Sequence, residues 1–184
     1  GRLRALPYVS HELHLYLMLS NLRGVPYEVA FGDKATGGGY GMLNHGDRAH
    51  FIVNGLGSAR QASSWAKGDP AGAILDVTTL PSETAEASSS IVGTWNVCLQ
   101  SSLASSAFPI GLSPRPLFID HTDFAGRKWP FPHLASHPLV PDFPVGYHGD
   151  LGILPRYAFT CVDGGLINNE PFEYAHYSLL DQNS

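Results

Sequence analysis

A chain of 184 residues, 43% hydrophobic and 15% charged, has the make-up of one ordinary globular domain, which excludes a disordered chain. Its formal net charge of -5, from 11 Lys and Arg against 16 Asp and Glu without a block of like charge, excludes two classes. These are the basic footprint of a nucleic-acid binder and a polybasic membrane patch. A lipid substrate is not excluded, because apolar loops can reach one.

In chain order, Arg2 and Arg4 precede an apolar run without a small-residue cleavage site, so no leader is read there. That run, Leu13 to Leu19, is interrupted by His14 and falls far short of the roughly 20 residues of a membrane helix. The beginning reads as an internal boundary of a longer protein, and a cytoplasmic location is favoured. Glu12 to Leu19 nearly alternates, which predicts a buried strand ended by a turn at Ser20-Asn21-Leu22-Arg23-Gly24. Gly32 to Gly41 reads as a glycine-rich loop. Ala49 to Val53 reads as a second strand, closed by Asn54-Gly55. Residues 56–90, rich in Ser, Ala and Gly, predict loop with one short helix at best.

Ile91 to Ala107 carries the best helical signal, with Ile91, Trp95, Leu99 and Leu103 recurring at four and Val92 and Cys98 widening the stripe. Pro109 ends it. Its last turns are small (Ser101, Ser102, Ala104, Ser105, Ser106, Ala107), which suits close approach to another backbone or a polar surface end equally well. Residues 113–155 are dense in proline, which forbids long helices and central strands. Phe118, Phe124, Trp129, Phe131, Phe143 and Tyr147 argue for a packed loop there. Tyr157 to Val162 predicts a short buried strand running straight into Asp163-Gly164-Gly165, and a last helix is expected over residues 171–180. Strand, helix, long loop, strand, helix is the rhythm of an α/β domain. Residues 1–184 read as one domain or as the C-terminal part of one.

Asp163 is the chief chemical candidate. A carboxylate at the carboxyl end of a strand can accept a proton from a serine hydroxyl, and two glycines after it allow a tight turn and a close partner. On these residues alone a bare turn is the stronger reading. Ser101, Ser102, Ser105 and Ser106 have no Lys, His or Asp near them in sequence and read as helix contacts. His45, His50, His121, His133 and His137, with Asp47 and Asp123, have ligand chemistry. The i, i+4 spacing of His133 and His137 helps only on a helix, which Pro132 and Pro138 oppose, and solvated loop histidines are the expectation. Cys98 and Cys161 are too few for a disulfide framework. The triplet His-Gly-Asp at 45–47 and again at 148–150 is treated as chance.

Residues 163–171, Asp-Gly-Gly-Leu-Ile-Asn-Asn-Glu-Pro, resemble the Asp-Gly-Gly followed by Asn and Pro of the patatin family of serine acyl hydrolases. Leu103-Ala104-Ser105-Ser106-Ala107-Phe108-Pro109 is similar to the small-residue helix end before that family's Asp strand. Asn21 to Tyr27 and Gly41 to Asp47 are similar to a bacterial branch, and the matches follow the family's order over about residues 13–180. The resemblance implies a three-layer α/β domain with a central, mostly parallel sheet. It implies hydrolysis of a lipid or other acyl ester by a Ser-Asp dyad with Asp163 as base, and no metal or organic cofactor. Gly164 and Gly165 would shape the turn, Asn168 and Asn169 would support the loop after it, and contact with a membrane surface would be transient.

The family's Gly-x-Ser-x-Gly nucleophile is not in the chain. Gly55-Leu56-Gly57-Ser58-Ala59 has its serine misplaced and lacks the closing glycine. Gly37-Gly38-Gly39 follows the first matching strand, so order argues against an oxyanion loop. Both elements are expected upstream of Gly1, and apolar edges should be exposed without them. Residues 113–155 would wall or cover the acyl pocket. The alternative reading is a non-catalytic binding module on the same scaffold.

Overall fold

A computed structural model of the chain describes residues 4–30, 39–59, 73–79, 89–120, 124, 141–143 and 156–167. Two long strands dominate it. β2 (Glu12–Ala30) and β3 (Gly39–Asn54) form an antiparallel pair, with Glu12 opposite Asn54 and Ala30 opposite Gly39. Leu13, Leu15, Leu17 and Leu19 share one face, opposite Val53, Phe51, Ala49 and Asp47. That face forms the core. Leu19, Ala49, Phe51 and Val53 belong to one buried cluster, and Leu15 and Leu17 pack against it.

β5 (Ala73–Asp76) runs parallel to β3. On the other side, β7 (Arg156–Asp163) pairs antiparallel with β2 through Leu19–Asp163, Ser20–Val162 and Asn21–Cys161, and β6 (Arg115–Asp120) pairs antiparallel with β7. The sheet order is β5-β3-β2-β7-β6. β1 (Leu6–Ser10) and β4 (Gly57–Ala59) make a separate parallel pair.

This sheet corrects the expectation of a three-layer α/β domain with a central, mostly parallel sheet: only β3 and β5 are parallel within it. The reason lies at Ser20 to Gly24, which is not a turn. Gly24 takes φ 82, and the ladder resumes at Val25–Asn44, so the residues Asn21 to Gly24 bulge opposite His45. The strand then runs on to Ala30 and pairs with β3 as a hairpin, which needs no crossover helix.

α1 (Ser89–Ser105) forms where the periodicity places it and packs on the core face against β2, β3, β5, β6 and β7. Its buried side takes only part of the predicted apolar stripe, with Trp95 packed against the core. Cys98, Ser101 and Ala104 are buried, while Leu99 and Leu103 are exposed. Small side chains allow the helix backbone to lie close to the sheet, and that outranks the spacing of the leucines. The short strands β4 and β5 form within residues 56–90, where the composition predicts loop. β6 carries Pro116 within an edge strand of this sheet, where a missing N–H does no harm. Phe124 and Phe143, from the proline-dense segment, pack edge-on against Tyr157 in the core. The expected helix over residues 171–180 lies outside the described residues. Among the described residues no helix is long and apolar enough to cross a membrane.

A Cβ at Gly24 would sit 3.0 Å from Leu43 Cβ and 3.1 Å from His45 Cε1, besides the positive φ. Gly24→Ala is expected to lower stability by about 1–2 kcal/mol. Gly41→Ala, whose Cβ meets nothing within 4 Å, should stay within about 0.5 kcal/mol in the same urea titration.

Candidate functional site

The end of β7 is held from three directions. The Asp163 backbone N–H donates to Ala107 O at 3.0 Å, at the C-terminal end of the α1 segment. Ser20 Oγ, on the central strand, donates to Asp163 O at 2.8 Å and lies 3.4 Å from Gly164 O. The Asp163 carboxylate accepts from Gly165 N at 3.1 Å and so caps the 3-10 turn Gly164–Leu166. Gly164 has no room for a side chain: an added Cβ would fall 2.4 Å from Met18 O. Small residues at the helix end, Ala104 and Ala107, are fully buried and let that chain segment reach the turn.

Asp163 itself is half-buried, so its carboxylate is open to an approaching group. Phe108, Ile110 and Leu112 from the segment after α1, with Leu166 and Ile167 from the turn, are all exposed, Ile110 at 89%. The arrangement presents a proton acceptor at a strand end, on an anchored backbone, in a segment rich in exposed apolar side chains. Of the residues named from sequence, Asp163, Gly164 and Gly165 are brought together. Asn168 and Asn169 lie outside the described residues.

No serine is placed to donate to this carboxylate among the described residues. Ser102 Oγ and Ser106 Oγ bond helix carbonyls, Cys98 O at 2.9 Å and Ser102 O at 3.1 Å, and Ser101 is fully buried in the helix–sheet contact. Ser58 sits exposed on β4, in the strand pair formed with β1. Ser20 is near Asp163 but bonds its backbone, not its carboxylate.

A buried polar cluster lies one rung away, and sequence reasoning missed it. Asn21, with no exposure, accepts from Arg23 N and Gly24 N at 3.0 Å through Oδ1. Its Nδ2 donates to Asp47 Oδ2 at 3.2 Å and to Tyr157 Oη at 3.4 Å. Tyr157 Oη donates to Gly24 O, and the His45 ring meets Asn21 O at 2.8 Å. The signal in the sequence is His45-Gly46-Asp47, which has a structural role here; the second copy of the triplet, at 148–150, lies outside the described residues. Burial pushes the Cys161 thiol strongly up, and the nearby Asp47 carboxylate adds to it; burial also raises Cys98, opposed by a hydrogen bond with Ser102.

The expectation of solvated loop histidines fails for His45 and His50, which lie in β3. His50 Nε2 is 2.8 Å from His14 Nδ1 and its ring stacks on Tyr16 at 4.3 Å, on the face opposite the core. His121, Asp123, His133 and His137 lie outside the described residues. Among the described residues no group of three or more His, Cys, Asp or Glu could hold a metal ion.

The thiols carry a pH test. Their folded values are raised, so the stability they contribute is full below the unfolded thiol range near ~8.5 and falls as pH rises through it. Between pH 7 and pH about 10 the stability from urea titration should fall, by up to about 1.4 kcal/mol per pH unit from Cys161 above that range. Cys161→Ala should flatten the slope, after allowance for the smaller side chain.

No family model matches the chain. The chain is similar to Uncharacterized protein y4iI of Sinorhizobium fredii, 38% identical over 181 residues, which make up 98% of this chain and 25% of that protein. It thus spans about a quarter of the length of the curated relative it matches. No solved structure matches it.

Proposed function

We propose that the chain supplies the aspartate of a Ser-Asp dyad in a patatin-like hydrolase of lipid or other acyl esters. The carrying observation is the Asp163 turn. Its carboxylate is half-buried and stands on a backbone tied to the central strand and to the segment after α1. A base held in this way loses little freedom when a hydroxyl approaches. The sequence Asp163-Gly164-Gly165 with Asn168, Asn169 and Pro171 supports the same reading.

The serine would come from a segment outside these 184 residues. Its hydroxyl gives its proton to Asp163 as the oxygen attacks the ester carbonyl. Backbone N–H groups stabilise the oxyanion. Collapse of the tetrahedral adduct expels the alcohol, which takes the proton from Asp163. Water then repeats the sequence on the acyl-enzyme and releases the acid. No metal or organic cofactor enters.

Exposed Phe108, Ile110, Leu112, Leu166 and Ile167 suit brief contact with a lipid surface or an acyl chain. They replace part of the wall assigned to residues 113–155, since Phe124 is a core side chain and Phe143 packs against the core. A cytoplasmic location agrees with this reading.

The test is the protein produced with the residues that precede Gly1 in its reading frame. A Gly-x-Ser-x-Gly there, labelled by a fluorophosphonate at its serine, is the expected result. Asp163→Ala should lower ester hydrolysis roughly 100-fold or more. An upstream frame without that motif, or full activity in Asp163→Ala, overturns the proposal.

A further inference from the structure

Ser20 stands out among the buried polar side chains because its hydroxyl reaches the candidate base through the backbone. It lies on β2 just before the bulge, opposite Gly46 on β3 and Val162 on β7, and it has no exposure. A hydroxyl placed in the middle of a sheet costs about 1–3 kcal/mol unless it finds an acceptor. Its acceptor is Asp163 O at 2.8 Å, with Gly164 O at 3.4 Å as a second, weaker site.

These two carbonyls bracket the residue that cannot carry a side chain. Gly164 is pressed onto Met18 of the same strand, two residues before Ser20. The peptide plane after Asp163 is therefore pinned by Ser20 and the plane before it by Ala107 O. Asp163 has φ -43 and ψ 129, and Gly165 N then lies within 3.1 Å of its carboxylate. A rotation of the Asp163–Gly164 plane would move that N–H away and re-aim the carboxylate.

We propose that Ser20 is the positioning residue of the Asp163 site, setting the carboxylate's direction through the backbone carbonyl rather than by touching it. The role rests on the reading of Asp163 as the base. Ser20 is not a nucleophile: its one proton is directed to a carbonyl oxygen.

The test is amide NMR of the 184-residue chain, with Gly165 N–H as reporter of the carboxylate that caps it and Asp163→Ala as the uncapped reference. In Ser20→Ala the Gly165 resonance should move most of the way to its position in Asp163→Ala, while core amides such as Phe51 and Phe159 stay in place. Ser20→Thr, which keeps the hydroxyl, should return it to the native position. Should Ser20→Ala not fold, Ser20→Cys keeps the volume with a weaker donor and should move the resonance part of the way. A Gly165 resonance unmoved in folded Ser20→Ala or Ser20→Cys overturns the proposal, as does one that stays displaced in folded Ser20→Thr. The readout needs no hydrolysis. A displaced Gly165 resonance with hydrolysis unchanged in Asp163→Ala would uphold the hold of Ser20 on the turn and remove the base reading alone.

Discussion

The carboxamide of Asn21 occupies the place where the central strand breaks its ladder, and the arrangement around it depends on all of its polar atoms being answered. Its oxygen takes the N–H groups of Arg23 and Gly24, and its nitrogen gives to Asp47 and Tyr157. A bulge in a central strand leaves backbone groups without their ladder partners, and burial makes each of them expensive. Here one side chain satisfies two of them and ties three strands together. Tyr157 closes the circuit on Gly24 O, with the Arg23 guanidinium 5.2 Å from its ring centre.

The same bulge organises the candidate site. Before it, Leu19 and Ser20 pair with β3 on one side and β7 on the other, so the two neighbours are fixed to one strand. Leu19 then lies between Asp47 and Asp163, with one carboxylate buried in the polar cluster and the other half-exposed at the end of β7. Residues alike in type thus take different parts. Asp47 accepts from donors inside the sheet, while Asp163 caps the turn at the sheet's end and stays half-exposed.

α1 contributes through what it lacks. Large residues in place of Ser101 and Ala104 on its inner side would push the C-terminal half away from the sheet, and Ala107 O would not reach the N–H of Asp163. Its leucines turn outward instead: Leu99 and Leu103 are exposed, as are Phe108, Ile110 and Leu112 beyond them. Two leucines that periodicity assigns to a core, Leu99 and Leu103, therefore lie on the surface, while Trp95 and Cys98 of the same stripe pack inward. That results from the identity of the opposite helix face, which a moment along one helix does not reveal.

Much of this was legible from local chemistry. Alternation marked the first half of β2 and the end of β3, four-residue spacing marked α1, and Tyr157 to Asp163 could be read as a strand entering a glycine turn. Each depends on neighbours close in sequence. Asn21 and Gly24 were recognised as turn formers, and their hydrogen bonds are indeed those of a turn, yet they sit inside a strand. Sequence could not separate the two, because the outcome depends on whether residues 25–30 find a partner strand, which is a long-range pairing. The mostly parallel sheet failed for the same reason: strand direction is a property of pairs. The sequence by itself determined which residue bears the carboxylate and that a glycine turn follows it; the need for glycine at 164 comes from Met18 on β2. Only the tertiary structure decided that Ser20 and Ala107 hold the backbone beneath it, because hydrogen bonds between residues so far apart in sequence, 143 for Ser20, form only once the sheet has closed.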